Sequence, residues 1–537
     1  MIRNCYRQLL APLSLILAGM ITASCTDLTE TPYDQVTAAN FHPTAQDLAS
    51  LIAPAYTPLR STWLAWYGNI DTQEESADAL LTPNRPNGWD DQGTYIRMHQ
   101  HKWDPNQGQP GSLWGNAFDG INATNLVLYQ IDSGVVPVEE NAKVHLTAEL
   151  RGLRAYYYFL LLNNFGNVPI VTDFTSPEIP KQATRQQVYD FVVSELNAVL
   201  PDLSEETGTS TYGRVNKWAA LAILARTYLN AEVYTGTPQY DKVLDVTQQI
   251  IDGHKYQLDA SYRTPFSRHN ETSLENIWVV PYDEINAPES SFHMKTLKPD
   301  LRYALNLAAT PWGGSASNPQ FVDTYDPDDE RLHDTWLIGP VFNDAGVGYD
   351  FVKFVPSMYQ TDFNNGYPVW KYEIYAGETS ASDVDYPIAR YAEILMMKAE
   401  ALLRTGHPDD AATIVTEVRQ RAFANTNPAK ATVTGDELLE GSSYNYGWSD
   451  TDGVVKTGPG GTPVHNGGAD IQYGRFLDEL GWEFAIEGHR RTNLIRFGVF
   501  TTKTWFNHTP NGDYRSLFPI PQGAIATNPN LTQNPGY

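Results

Sequence analysis

Apolar residues recur at three- and four-residue steps over several long stretches of the chain. In residues 214–234 the repeating apolar positions are Trp218, Leu221, Ala222, Ala225, Tyr228 and Leu229. In residues 146–166 they are Leu150, Leu153, Tyr157, Leu160 and Leu161. This spacing places apolar side chains on one face of an α-helix. We therefore predict long amphipathic helices that pack through one face.

Residues 390–422 predict a helical hairpin. Apolar positions define two helices, Gly406 suits the left-handed end of the first, and Pro408 suits the first turn of the second. The length of about 34 residues is typical of a tetratricopeptide unit. Residues 225–256 have the same organisation, and repeat units need neighbours to bury their apolar faces. We expect the two hairpins to pack together.

Two regions lack helical periodicity. Residues 263–388 are rich in Pro, Gly, Asn and Asp with single aromatic residues, which indicates long loops with short strands. Residues 441–468 are rich in glycine and predict an exposed insertion. The fold class is therefore mainly α: a tetratricopeptide-like scaffold at about 40–260 and 386–500, with a loop-rich, ligand-binding part at about 60–115 and 263–385.

Composition narrows the range of partners. The 537 residues carry a formal charge of −26, with 42% apolar and 19% charged residues, which describes a globular chain of two or three packed subdomains. Such an acidic surface repels phosphate backbones and anionic polysaccharides. We expect neutral ligands and no nucleic acid.

The first 24 residues predict a signal peptide. Arg3 and Arg7 precede an apolar run at 9–21, which is too short to span a bilayer as a mature helix. Ala23 and Ser24 are small residues before Cys25, and this segment resembles a lipoprotein signal box, with Thr22 where Leu is usual. The resemblance implies lipidation, such as palmitate, at Cys25. The alternative is a secreted protein with a free thiol, since no second cysteine remains after cleavage.

The sequence singles out no catalytic residue, cofactor or metal site. It has no HExxH, GxSxG or phosphate-binding loop, although a glycosidase pair among its 63 acidic residues stays an open alternative. His99 and His101 lack a third metal ligand. The acidic run 326–330 does not have the spacing of a calcium loop and favours a capped turn, although a structural calcium ion also stays open.

Aromatic residues give the stronger signal for function. Five of the 13 tryptophans lie in residues 63–114. A sugar ring stacks its apolar C–H face on an aromatic ring, while its hydroxyl groups need polar partners. We predict a carbohydrate site here, with Trp103 and Trp114 in the core and weaker candidates at Tyr303 and Trp336. The predicted ligand-binding residues are Trp66, Tyr67, Asn69, Asp71, Trp89, Asp90, Arg97 and Trp312.

Five segments, in order along the chain, resemble the RagB/SusD family of outer-membrane lipoproteins of Bacteroidetes. They are DLTETPYDQVTAANF at 27–41, RAYYYFLLLNNFGNVPIV at 154–171, YPIARYAEILMMKAEALLRTG at 386–406, WEFAIEGHRRTNLIRFG at 482–498 and LFPIPQGAIATNPNLTQNPGY at 517–537. One departure is FLDELG at 476–481, where the family more often has an arginine. We expect the charged residues of 482–498 to be structural, since they fall at helical steps.

The resemblance implies a SusD-like fold and a non-enzymatic function. Such a protein is anchored by lipid in the outer membrane, facing outwards, captures oligosaccharides and passes them to a SusC-like TonB-dependent transporter. Three alternatives stay open: a RagB-like protein of a peptide importer, a glycoside hydrolase, and a structural repeat protein that binds other proteins through its helices.

Overall fold

The computed structural model describes residues 44–86, 90–447 and 467–537. Within them the chain is mainly α-helical with a few two- to five-residue strands, which confirms the predicted fold class. The signal peptide, Cys25 and Trp89 lie outside the described residues.

The longer helices form the scaffold. They are α1 (Ala45–Thr62), α4 (Gly108–Asp132), α5 (Glu140–Asn164), α6 (Arg185–Val199), α7 (Lys217–Leu229), α9 (Tyr240–Asp252), α14 (Tyr391–Arg404), α15 (Pro408–Phe423) and α17 (Gly474–Phe484). Shorter helices connect them: α2 (Asn69–Glu74), α3 (Thr94–His99), α8 (Ala231–Thr235), α10 (Phe292–Thr296), α11 (Leu301–Ala304), α12 (Pro319–Val322), α13 (Glu330–Thr335), α16 (Gly435–Leu438), α18 (Arg490–Arg496) and α19 (Gln522–Thr527).

The strands form three small antiparallel sheets in the described part of the chain. β1 (Leu80–Leu81) pairs with β3 (Ala316–Ser317), β2 (Asn276–Val280) with β6 (Tyr386–Arg390), and β4 (Val341–Phe342) with β5 (Gly348–Tyr349). The first two sheets join segments that are far apart in sequence. The first joins the two segments of the loop-rich part, and the second ties that part to the helical scaffold.

The predicted hairpins form and pack together. Gly406 has φ +87° in the turn between α14 and α15, and Pro408 is the first residue of α15. In the other hairpin Gly236 has φ +75° and ends α8. The helices stack in the order α7, α9, α14 and α15, so α9 joins the two hairpins. This confirms the prediction that the hairpins bury their faces on each other.

The first long helices form the other half of the core. α4 packs between α1 and α5, and α6 packs on α5. Gly120 allows the closest approach, because a Cβ atom there would lie 2.1 Å from the ring of Tyr157. Trp103 is buried as predicted, whereas Trp114 is half-buried against the rings of Phe118 and Phe165.

A buried charge cluster joins β6, α15 and α17. The Arg390 and Arg421 guanidinium groups contact the Glu483 carboxylate at 2.8 and 2.6 Å. Burial alone would raise the pKa of Glu483, but Arg421, Arg390 and Arg331 outweigh it and lower that pKa. The cluster confirms that the charged residues of segment 482–498 are structural.

Two further features bear on the predictions. The described ends of the insertion 441–468 are only partly exposed: Ser443 and Gly447 are exposed, whereas Tyr444 and Tyr446 are buried and stack at 4.1 Å. Residues 448–466 lie outside the described part. Among the described helices, none has both the length and the apolar character needed to cross a membrane.

Candidate functional site

A tight turn between α1 and α2 presents two aromatic side chains. Trp66 is exposed and Tyr67 is half-buried in this turn, and Tyr67 adopts φ +60°. Gly68 closes the turn with a hydrogen bond from its N–H to the carbonyl of Ala65. A Cβ atom at Gly68 would lie 2.1 Å from the carbonyl oxygen of Trp63, so only glycine fits.

Trp312 reaches the same place from the loop-rich part. The backbone N–H of Trp312 donates to the backbone carbonyl of Met294 in α10 at 2.7 Å. Gly313 follows with φ +81°, a conformation that favours glycine and turns the chain away. The backbone on both sides of the half-buried Trp312 ring is therefore fixed to the rest of the protein.

The two tryptophan rings form a corner rather than a flat surface. The Trp66 and Trp312 ring centroids are 5.2 Å apart and the planes meet at 75°. The Tyr67 ring lies 5.6 Å from Trp66 with its plane tilted by 37°. We call Trp66, Tyr67 and Trp312 the aromatic corner. It offers ring faces in different directions to one ligand.

A buried ionic network supports the aromatic corner from below. The buried Tyr95 of α3 contacts Trp66 edge-on at 6.2 Å, and its hydroxyl donates to Asp71 at 3.2 Å. The Lys295 ammonium pairs with Asp71, lies 2.9 Å from Glu75 and sits 4.6 Å from the Tyr95 ring centroid. Several hydrogen bonds and ion pairs among these buried groups restrict each of them to one arrangement.

Burial sets the ionisation of this network. It raises the pKa of Asp71 to about 6, with Lys295 opposing the shift. Burial alone would lower the pKa of Lys295, but Asp71 and Glu75 outweigh it and raise that pKa. At neutral pH the Lys295 ammonium therefore lies against the Asp71 carboxylate, and these two opposite charges compensate each other beneath the aromatic corner.

Polar side chains border the aromatic corner. The Tyr67 hydroxyl donates to Asp91 at 2.7 Å, and burial raises the Tyr67 pKa to about 12. Asp90 is exposed and accepts from the Gln92 N–H. The half-buried Arg97 donates to the Gln92 carbonyl at 2.8 Å. Asp90 and Arg97 thus remain within reach of solvent.

The structure brings together only part of the predicted set. Trp66, Tyr67 and Trp312 form the corner, and Asp90 and Arg97 border it. Asn69 and Asp71 are each 2% exposed and hydrogen-bond to protein groups. The expectation that they contact a ligand at the surface is therefore wrong. They are buried because the whole of the short helix α2 lies in the protein interior.

Sequence reasoning missed Glu75, Tyr95 and Lys295. Lys295 reaches Asp71 from a position 224 residues away in the chain, so no local pattern reveals the pair. Tyr95 was overlooked beside the more conspicuous tryptophans of the same segment. Of the weaker aromatic candidates, Trp336 is fully buried whereas Tyr303 is 66% exposed.

The candidate metal ligands have protein partners. Asp329 caps α13 and pairs with Arg331, as expected of a capped turn. Asp326 and Asp328 both contact Lys430, at 2.7 and 2.8 Å. Across the described residues, no group of three or more His, Cys, Asp or Glu side chains is placed to hold a metal ion.

The fold and the site define a class of protein: a tetratricopeptide-like scaffold whose loops present an exposed aromatic corner. Two family models match the sequence. The SusD family model matches residues 315–537, and the model described as "starch-binding associating with outer membrane" matches residues 30–229. Together they account for most of the chain, which belongs to the SusD family.

Individual relatives agree with this assignment. The chain is 24% identical to the starch-binding protein SusD of Bacteroides thetaiotaomicron, over 98% of each chain. It is similar in structure to a SusD superfamily protein of Parabacteroides distasonis, with TM-score 0.71, 19% identity and coverage of 94% of this chain and 100% of that one. It also resembles surface glycan-binding protein A of B. thetaiotaomicron, solved in complex with laminarihexaose, with TM-score 0.68, 20% identity and coverage of 91% and 99%.

Proposed function

We propose that this protein binds neutral oligosaccharides at the aromatic corner. The observation that carries the proposal is the contact of the exposed Trp66 with the half-buried Trp312, two aromatic side chains held by separately anchored segments. Sugar rings stack on such faces through their C–H groups. The names of two relatives, one starch-binding and one bound to laminarihexaose, support the same ligand class.

The angle between the tryptophan planes bears on the shape of the ligand. Faces that meet at 75° cannot both stack on one flat ribbon of sugar rings. They fit a chain that bends between adjacent units. Asp90 and Arg97 at the border provide an acceptor and a donor for sugar hydroxyl groups.

Binding without bond cleavage is the proposed mechanism. The acidic groups nearest the corner have other roles: Asp71 and Glu75 are paired with Lys295, and Asp91 accepts from Tyr67. A glycosidase needs two carboxyl groups that flank the scissile bond. Few ring contacts at an exposed site predict modest affinity for each sugar unit.

The family membership extends the proposal beyond the ligand. We propose that the protein is anchored to the outer membrane by a lipid on Cys25 and passes its ligand to a TonB-dependent transporter. A neutral ligand agrees with the formal charge of −26. Incorporation of labelled palmitate that is lost in Cys25→Ser would support the anchor, and incorporation that persists would contradict it.

A glycan array followed by calorimetry tests the proposed function. The purified protein should bind at least one neutral oligosaccharide, and Trp66→Ala should weaken binding about tenfold, through loss of stacking and buried area. Phe342→Ala removes another exposed aromatic side chain outside the corner and should have no effect. Binding of peptides but no sugar would instead favour a peptide carrier, and release of reducing ends would establish a glycosidase.

A further inference from the structure

A second cleft lies on α4, away from the aromatic corner. It has a volume of about 420 Å3. Its walls are the outer side of α4, the loop 169–180 and the C-terminal segment that contains α19. This volume lies in the range of small-ligand sites.

The walls of the cleft are held together by hydrogen bonds. The Asn528 side chain donates to the Pro180 carbonyl at 2.9 Å, and Asn530 donates to the Ile179 carbonyl at 2.9 Å. On the other side, Asn125 of α4 donates to the Val171 carbonyl at 3.0 Å. The cleft is therefore formed before any ligand arrives, which reduces the entropy cost of binding.

Aromatic rings line the cleft. Trp114 and Phe118 of α4 are half-buried, with ring centroids 4.8 Å apart. Phe174 of the loop is 47% exposed, and its ring lies 5.9 Å from that of Tyr129, which is 43% exposed. Exposed aromatic rings beside a cleft mark a binding surface.

Free polar groups accompany these rings. The Asn122 amide and the Glu178 carboxylate line the cleft and make no hydrogen bond with other described residues. An amide and a carboxylate beside aromatic faces are suited to sugar hydroxyl groups. A lining with acidic but no basic side chains disfavours anionic ligands.

We propose that this cleft is a second binding site for neutral oligosaccharides. The aromatic and amide side chains that line the cleft are the reason for proposing this ligand class, so the proposal does not depend on the site at the aromatic corner. Both sites lie along α4, because Gly108 at the start of the helix packs on the ring of Tyr67.

The surface between the two sites is open. Gly108, Gly111, Gly115, Phe118 and Asn122 follow helical spacing and share one face of α4. Apart from the adjacent residues and backbone of α4 itself, no atom lies within 4 Å of the position that a Cβ atom would take at Gly111 or Gly115. From Gly108 to Phe118 the helix rises about 15 Å, so one glycan of several units can follow this face between the sites.

The test compares five proteins by calorimetry: the unmodified protein, Phe174→Ala, the double variant Trp66→Ala/Trp312→Ala, the triple variant and the control Phe342→Ala. The probes are maltohexaose, laminarihexaose, xylohexaose and mannohexaose. The double variant should still bind a probe, and adding Phe174→Ala should weaken that binding about two- to tenfold. Phe342→Ala, at an exposed phenylalanine outside the cleft, should change nothing.

The outcomes separate the two sites. Complete loss of binding in the double variant, with Phe174→Ala unchanged, overturns the second site and leaves the proposed function intact. Loss in Phe174→Ala with no change in the double variant supports the cleft and contradicts the aromatic corner. If no probe binds the unmodified protein, both assignments are overturned.

Discussion

The Trp66 and Trp312 rings meet edge to face at 5.2 Å, although the two residues belong to distant parts of the chain. One comes from the turn before α2 and the other from the loop after α11. Their contact joins the helical scaffold to the loop-rich part at the surface. Each ring therefore supports the position of the other.

This contact predicts that the two tryptophans are coupled in ligand binding. Replacing either with alanine should weaken binding, and the double variant should lose less than the two single effects combined, because the partner ring is already displaced. Calorimetry with the tightest-binding oligosaccharide from the array measures the binding free energies of the unmodified protein, the two single variants and the double variant, which together form a double-mutant cycle. Effects that add to within about 0.5 kcal/mol would show that the rings act independently.

Lys295→Met should strongly destabilise the protein. It leaves the Asp71 and Glu75 carboxylates buried without their cation, which costs about 3 to 5 kcal/mol. Urea denaturation measures the free energy of unfolding. Lys143→Met is the matched control, because in the Lys143–Asp132 pair the lysine is only half-buried and the aspartate is exposed, and it should change that free energy by less than about 1 kcal/mol. Equal effects of the two substitutions would contradict a structural role for the network.

Two glycine-to-alanine substitutions should change the free energy of unfolding in opposite directions. Gly68→Ala forces a methyl group against the Trp63 carbonyl and should cost about 1 to 3 kcal/mol while weakening glycan binding. Gly115→Ala lies within α4 with free space around it and should stabilise the protein by about 1 kcal/mol. Thermal melts and calorimetry check both variants. If Gly68→Ala changes neither stability nor glycan binding, the turn can relax to accommodate the methyl group.

The Glu378 carboxyl predicts a pH-dependent stability. It is 1% exposed, and burial raises its pKa to about 8. The folded state thus binds this proton more tightly than the unfolded state, so the contribution is complete below about pH 4.5 and is lost as the pH rises through 8. Between pH 5 and 9, the free energy of unfolding should fall by roughly 4 kcal/mol more than in Glu378→Gln.

Chemical denaturation at several pH values checks this prediction. Glu139→Gln changes an exposed glutamate and should leave the pH profile of the unmodified protein in place. If Glu378→Gln has the same profile as the unmodified protein, the buried carboxyl is not the group that titrates.

The sequence predicts those parts of the molecule that depend on local spacing. The helices of both hairpins follow from periodicity and backbone preference, as do Gly406 and Pro408 at the turn of the hairpin at 390–422, and the structure confirms them. Trp66 and Trp312 stood out as aromatic residues in loops. Their meeting did not follow from the sequence, because it depends on how α2 and α10 pack.

The sequence does not show which polar residues of this region are exposed and which are buried. Asn69 and Asp71 follow an aromatic turn, and in sequence they look like surface partners for sugar hydroxyl groups. Whether a carboxylate is exposed or buried depends on a distant partner, which for Asp71 is Lys295. The cleft beside α4 does not follow from the sequence either, since three separate segments form its walls.

The buried charge cluster has a consequence for the time course of folding. Glu275, Arg390, Arg421 and Glu483 come from separate stretches of the chain, and none can give up its water before the others arrive. Closing such long loops is slow compared with forming the local hairpins. We expect the helical hairpins to form before the cluster closes, because the cluster becomes dry only when all four segments have met.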